Sequence, residues 1–328
     1  MTRFISRLST ISIGREDPAS YGTKSILMQD FPVQEFTVDN TKEVLLNDQG
    51  FGLIADNAIG SKSGKTASEF TITGICSEGL FGQMLKAAFG TVAFSVDTPV
   101  ASANQHTFTV ANTNSHPSYT IAYKDSIQVR MITGAMLSKL EIKIVAGEWV
   151  TYTATFSGQT AVVTTETIAP AAETYFTAAE SVCKIGANVA ALAAAAAVTL
   201  ESGTLTIEKP LEVHYVWGSN DVEQISNKQF TVTGSFEMLF ETAAHSTAFE
   251  SHTIQAMSIT LTTTEFVTGT TPFSLAITIP QFHIASWSSP KALNDLVKQS
   301  FEIKAEYDTV TSAMISAVLV NDTATDVY

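Results

Sequence analysis

The chain is short of most of what chemistry requires. Its 328 residues include two cysteines, Cys76 and Cys183, neither in a CxxC pair nor beside histidine at zinc spacing. That excludes a disulfide framework and leaves two buried thiols as the expectation. The six histidines, His106, His116, His214, His245, His252 and His283, are scattered, with no HExxH and no pair four apart on a helix. Each reads as a surface or strand-edge residue rather than a metal ligand. Basic residues are also scarce: 18 Lys and Arg stand against 32 Asp and Glu, a net charge of −14. Affinity for phosphates comes mostly from Lys and Arg, so this balance disfavours a nucleic-acid or anionic-membrane binder. No run reaches the ~18 apolar residues of a membrane span. The opening MTRFISRLST lacks the apolar stretch of a signal peptide, so the expectation is a soluble product of the cytoplasm with no membrane insertion.

What the chain does contain is alternation. With 45% hydrophobic residues and a mean hydropathy of +0.17 it should fold, and strand-length segments of period two recur throughout. They are SYTIAYK (118–124), SIQVRMI (126–132), KLEIKIV (139–145), WVTYTATF (149–156), SITLTTT (258–264), SLAITIP (274–280) and SFEIKAEY (300–307). One apolar face and one face of Thr, Ser, Glu or Lys is the pattern of half-buried antiparallel strands. VAGEW (145–149), YKDS (123–126) and FVTGTTP (266–272) supply turns. One clear helix is predicted in SEGLFGQMLKAAFG, with Leu80, Phe81, Met84, Leu85, Ala88 and Phe89 on one face, Ser77 as N-cap and Gly90 as C-cap. TAAHSTAFES (242–251) is the candidate for a second, and the fold class is mainly β.

SEFTITG (68–74) returns as KQFTVTG (228–234), a shift of 160 residues that aligns Phe70 with Phe230, Ile72 with Val232 and Gly74 with Gly234. Each copy is followed by a helical segment, further strands and a closing alternating strand. This order predicts two tandem β-sandwich domains, each with a short flanking helix: 1–165, an Ala/Thr-rich connector over 166–199, and 200–328. The alternative is one large β-sandwich with a chance similarity.

Sequences that resemble chemical motifs fail on context. IGSKSGKT (59–66) is one residue short of a phosphate-binding loop and leads into an alternating strand rather than a helix. SSPK (288–291) matches a serine–lysine spacing but sits in a proline-containing turn. The pairs Glu302 with Glu306 and Glu237 with Glu241 share strand faces with no third group converging on them. No cofactor, metal or catalytic residue is expected, and the chain is read as a non-enzyme.

Taken together, GREDPASYGT (14–23), SEFTITG running into GLFGQMLKAAFG, and ITGAMLSKLEIKIVAGEWVTYTATFSG (132–158) resemble the major tail tube proteins of long-tailed bacteriophages. LTIEKPLEVHYVWG (205–218), KQFTVTGSFEMLFE, SLAITIPQFHIASW and FEIKAEYD (301–308) are the corresponding elements of the second half. The resemblance implies two packed sheets flanked by a helix, with inner sheets that join between subunits into one barrel. It implies a structural role in the virion tail: stacked rings, assembled in the host cytoplasm, forming a conduit through which double-stranded DNA passes without specific binding. A duplicated domain implies three chains per ring rather than six, with a tape-measure protein and tail terminator proteins as further partners. The rival class is a two-domain β-sandwich adhesin or decoration protein that binds a glycan or receptor, for which Trp217, Trp287 and Tyr175 are the aromatic candidates.

Under the tube reading, the lumen-facing candidates are Glu69, Thr71, Thr73, Thr151, Thr153 and Thr155 in the first copy, with Thr231, Thr233, Glu302 and Glu306 in the second. The opposite faces, Phe70, Ile72, Val150, Tyr152, Phe156, Phe230, Val232, Phe301, Ile303 and Tyr307, should form the cores. The long Gly/Ser-rich segment 45–68 is the expected inter-ring arm, with Asn47, Gly50, Phe51, Ile54, Asp56, Lys62 and Lys65 as contact candidates. Its shorter counterpart in the second copy is GSNDVEQISN (218–227).

Overall fold

A computed structural model describes residues 10–47, 60–96, 103–125, 127–170, 172–290, 293, 296–323 and 328. The first half contains β1 (Thr10–Arg15), β2 (Gln29–Phe31), β3 (Glu35–Leu45), β4 (Lys62–Ile75), helix α1 (Phe81–Phe89), β5 (Gly90–Val96), β6 (Asn104–Val110), β7 (Tyr119–Lys124), β8 (Val129–Val145), β9 (Thr151–Gly158) and β10 (Val162–Thr164). The second half contains β11 (Ser181–Gly186), α2 (Val189–Leu192), β12 (Ala197–Val198), β13 (Ser202–Glu208), β14 (Leu211–His214), β15 (Gln224–Asn227), β16 (Thr231–Leu239), α3 (Ala244–Glu250), β17 (Gln255–Thr268), β18 (Thr271–Ser288), β19 (Lys298–Glu306) and β20 (Ser316–Asn321). The protein is mainly β, as the alternation predicts, and every strand pairing is antiparallel.

Two long strands organise the sheets. The later part of β8 pairs with β9 and its earlier part with β7 and β10. In the same way β18 pairs with β19 late and with β17 and β20 early. Strand β8 changes partners between Ala135 and Met136 and β18 near Gln281–Phe282, and register shifts between Leu137 and Lys139 and between Ile284 and Ser286 mark bulges just beyond. The result is a main sheet in the order β3-β4-β9-β8-β13-β16-β19-β18, backed by two flanking sheets, β2-β1-β7-β8-β10 and β12-β11-β17-β18-β20. The hairpin β5–β6 adds to the second flanking sheet through β20, so a first-half element extends a second-half layer.

Packing follows period two. Phe70, Ile72, Tyr152, Phe156, Leu140 and Ile142 point behind the main sheet in the first half; Leu205, Ile207, Val232, Phe236, Phe301 and Ile303 do so in the second, and all are buried. One apolar cluster runs from Ile11 through both halves to Leu319 and Tyr328. Phe230 is only half-buried against it. Tyr307, expected in the core, is 56% exposed, because it follows the end of β19, where no strand lies over it.

Helix α1 has all nine residues buried beneath this cluster. Its start differs from the sequence reading: Ser77 bridges Tyr175 instead of capping, and both carboxylate oxygens of Glu173 accept the Leu80 amide, at 3.1 and 3.2 Å. A carboxylate there satisfies an otherwise unpaired N-terminal amide and faces the positive end of the helix. Gly90 closes the other end at φ 91°, a conformation that favours glycine.

The segment expected as a connector, 166–199, touches both halves: Glu166, Ala169, Glu173 and Tyr175 contact Lys24, Asp30, Leu80 and Ser77 of the first, and its later part joins the second. It carries a 3₁₀ turn at Ala178–Glu180, β11, α2 and β12, and β11 pairs with β17 along its whole length. The Ala-rich run supplies α2 and β12 rather than one helix or a plain linker.

A polar face continuous across eight strands

The antiparallel registers line up one residue from each strand of the main sheet. Glu35 lies opposite Thr73, Thr73 opposite Thr153, and Thr153 opposite Glu141. The row continues from Glu141 to Thr206, Thr233, Lys304 and His283. Parallel to it run Thr37, Thr71, Thr155, Lys139, Glu208 and Thr231 on one side and Thr151, Lys143, Thr204, Ser235, Glu302 and Ser286 on the other. Glu69 is paired with Asp39 and Ser157, and Glu306 with Gln281. All ten residues predicted for the polar faces, Glu69, Thr71, Thr73, Thr151, Thr153, Thr155, Thr231, Thr233, Glu302 and Glu306, therefore share one face of one sheet. Each is partly or fully exposed, while the next residue on its strand in the core direction is covered.

Sequence reasoning missed β3, β8, β13 and β18 as contributors, although the first three show the pattern plainly. Glu35, Thr37 and Asp39 alternate with Phe36 and Val38, Lys139, Glu141 and Lys143 with Leu140 and Ile142, and Thr204, Thr206 and Glu208 with Leu205 and Ile207. The same period-two signal that found β4 and β9 was present in each.

Hydroxyls and paired charges make up the face. Thr71 and Thr155 stand 3.3 Å apart through their hydroxyls and Thr73 and Thr153 3.4 Å. Ser286 donates to Glu302 at 2.9 Å, and His283 Nδ1 lies 3.0 Å from Glu306. Lys139 sits 3.1 Å from Glu141 and 3.8 Å from Glu208; Lys298 sits 2.7 Å from Glu201 and 3.4 Å from Glu237. Glu201 holds the Lys298 ammonium above its usual pKa. Each of these two lysines is thus matched by two carboxylates, whereas Lys143 and Lys304 form no ion pair among the described residues. The carboxylates of the face (Glu35, Asp39, Glu69, Glu141, Glu208, Glu237, Glu302 and Glu306) still outnumber its four lysines, which leaves it unfavourable to a polyanion. Exposed pairs of this kind add little stability, about 0–1 kcal/mol.

Among the described residues no group of three or more His, Cys, Asp or Glu is placed to hold a metal. Lys62–Thr66 of the phosphate-loop-like motif belongs to β4, which continues as strand to Ile75, so no helix opens directly after the motif to face a phosphate. The three aromatics of the adhesin reading lie on separate elements. Trp217 projects from the β14–β15 turn, Trp287 is half-buried on β18 and donates to Gln299 at 3.1 Å, and Tyr175 packs on Trp149. No helix among the described residues is long and apolar enough to cross a membrane.

At one end of the main sheet β3 and β4 continue as a ribbon to the pair Leu45–Lys62. Lys62 and Lys65 are therefore strand residues rather than loop residues: this Gly/Ser-rich stretch keeps its ladder hydrogen bonds. Asn47 follows the ribbon, and Gly50, Phe51, Ile54 and Asp56 lie outside the described residues. The second half's β14–β15 hairpin folds onto the ribbon's base. Thr66 N donates to Asn220 O at 2.8 Å, Thr160 N to Asp221 at 3.0 Å, and Lys65 lies 5.0 Å above the Tyr215 ring.

The ten candidate positions thus lie on one continuous, hydroxyl-rich face of an antiparallel β protein. The family model for phage tail tube proteins matches residues 9–305, and the chain belongs to that family. No curated protein matches it.

Proposed function

We propose that the chain polymerises as stacked rings into the tail tube of a bacteriophage, a passive conduit for DNA ejection, with the eight-stranded polar face turned to the lumen. The observation that carries this reading is the repetition inside that face. The order β3-β4-β9-β8 of the first half is matched by β13-β16-β19-β18 in the second, and β8 joins β13 over seven residue pairs. The flanking order β2-β1-β7-β8-β10 is matched by β12-β11-β17-β18-β20. Two equivalent building blocks in one chain support a ring of three chains over six.

Three copies would contribute about 24 strands, beyond the 16–18 of porins, whose barrels already leave an aqueous channel. Closure would also remove the exposed edges that invite uncontrolled pairing. DNA carries a negative charge every ~1.7 Å of axis; a wall of threonines on which carboxylates outnumber lysines would not hold it by counterion release. A tape-measure protein inside the growing tube, terminator proteins at its end, assembly in the host cytoplasm and the absence of any bond-making role belong to the same reading.

Negative-stain microscopy of concentrated protein together with the mass of the isolated ring tests it. Tubes or stacked rings with a ring mass of three chains are expected. A monodisperse monomer at all concentrations would remove the tube reading, and a six-chain ring would remove the duplicated-block reading.

A further inference from the structure

We propose that the ring closes through one defined edge pairing, in which β18 residues His283–Ser286 of one copy, with the bulge after Ile284, run antiparallel to Val33–Glu35 of the next and His283 faces Glu35. This rests on the tube reading above and names the contact it requires.

The main sheet has two free edges. Among the described residues β3 pairs only with β4, and Glu35, Thr37 and Asp39 are exposed along it. At the other edge β18 pairs with β19 on one side, while on its second side β17 reaches only as far as Phe282. From His283 onward that side carries no strand among the described residues.

Inside the chain the equivalents of these edges already meet. Aligning FTITG with FTVTG makes Thr73 equivalent to Thr233. Glu35 is the β3 partner of Thr73 and Thr206 the β13 partner of Thr233, so Glu35 is equivalent to Thr206. On the other side, Thr153 pairs with Thr73 and Lys304 with Thr233, and their next partners are Glu141 and His283. His283 is therefore equivalent to Glu141. Glu141 lies directly opposite Thr206 across the β8–β13 seam. The same seam between two chains places His283 opposite Glu35 and Ile284 opposite Gln34, where Ile142 meets Leu205 within the chain.

The local chemistry fits. Glu35 brings an exposed carboxylate beside an imidazole whose β19 partner is Lys304. Pro32, which has no N–H to give, sets the lower limit of the pairing near Val33. Gln255 opposite Phe282, and the His252 ring 4.9 Å from His283, set the limit on the other strand.

Cysteine pairs read this seam directly, because residues opposed on antiparallel strands have Cβ atoms roughly 4.5–5.5 Å apart, close to disulfide range. E141C/T206C is the control at the internal seam and should oxidise within one chain. E35C/H283C should oxidise between chains, giving covalent dimers and a closed trimer on non-reducing gels only from ring or tube fractions. Single variants that melt with the unmodified protein establish that folding is intact. Rings that form without the E35C/H283C bridge, or that bridge T37C/H283C instead, would overturn the seam and leave the tube reading standing. If the unmodified chain forms no ring at all, both fall.

Discussion

The Lys209 ammonium, carried on the residue after β13, donates to the Ala87 carbonyl at 2.6 Å and so closes the last turn of helix α1 in the other half of the chain. Its second contact is His116 Nδ1 at 3.2 Å; His116 Nε2 donates in turn to Ala111 O at 3.1 Å, which fixes a neutral imidazole as the acceptor. A cation at a helix C-terminus is favourable, but burial opposes it. Lys209 is fully covered, which pushes its pKa down to about 7; burial, with Lys209 beside it, pushes His116 down to about 4.

The contributions of these two groups to stability should therefore rise with pH across two windows. In the folded protein Lys209 gives up its proton near 7 and in the unfolded chain near 10.5, so between these values the unfolded state binds more protons and stability climbs by up to about 1.4 kcal/mol per pH unit. His116 acts in the same direction between about 4 and 6.5. Lys86, lowered to about 8, shares the alkaline window. Denaturant midpoints of Lys209→Met should be lower than the parent's at pH 9, because Ala87 O and His116 lose their donor, and should rise less steeply from pH 7 to 10. An unchanged slope would show that Lys209 does not carry it.

Glu78 predicts the opposite slope. Burial raises its pKa to about 7, and Glu173, Asp322 and Glu265 add to the rise. The folded state then binds more protons than the unfolded chain between about 4.5 and 7, and stability falls as pH rises through that window. Glu78→Gln should be more stable than the parent at pH 8 and level with it or below at pH 4, measured by melting temperature at both values. Equal differences at the two pH values would contradict this assignment.

The turn GREDPASYGT is held by one carboxylate. Glu16 accepts from Gly22 N at 3.0 Å and Ser118 Oγ at 2.7 Å on one oxygen, and from Thr120 Oγ1 at 2.9 Å and Gly134 N at 2.8 Å on the other. Tyr21 lies over Gly134, whose φ of 61° and lack of a side chain admit the ring. Hydrogen bonds to a buried charge contribute about 1.5–3 kcal/mol each, and orphaned partners cost more. Glu16→Ala should lose on the order of 3–5 kcal/mol in urea unfolding, with Glu16→Gln between it and the parent. A loss within ~0.5 kcal/mol, the usual range of surface changes, would mean that water replaces the carboxylate.

How much of this was legible depended on whether the cause was local. Thr71, Thr153 and Thr233 could be assigned to polar faces because a strand's period is set by its own residues. Residues 181–198 could not be placed, because β11 is six residues long and alanine is depleted in strands, so only pairing with β17 defines them. Strand β8 read as two segments, since Thr133-Gly134-Ala135 breaks the alternation; the fold carries it from one layer to the next there. The helix cap went to Glu173, 93 residues from Leu80, where no local signal points. The continuity of the polar face is likewise a product of registers between distant strands.

Adding positive charge to that face tests what it is for. Thr153, Thr155 and Thr233 are partly or fully exposed and their strand neighbours carry the core, so a triple change to lysine should shift stability by less than about 1 kcal/mol. Tubes of this variant should retain duplex DNA in co-sedimentation at low salt and release it as salt rises, because each phosphate contact adds a counterion-release term. The parent should retain none. If the lysine tubes ignore DNA, or bind it only on their outer surface in electron micrographs, the face does not line the lumen.

The ribbon β3–β4 locates the cut that separates ring formation from stacking. A deletion reaching Gly64 would remove Lys62 and Ser63, which pair with Leu45 and Val44, and also the Ser63 carbonyl that accepts from Asn220. Removing only residues 48–59 and joining Asn47 to Gly60 through a short glycine turn leaves every described pair of the ribbon, and the β14–β15 contacts at its base, in place. The described strand pairs of the main sheet lie outside the cut, so melting temperature and ring mass should match the parent. If the arm reaches the next ring, electron micrographs should then show single rings where the parent gives tubes. Tubes of normal length from this variant would assign stacking to another surface, with the exposed Trp217 beside the ribbon's base the first to examine.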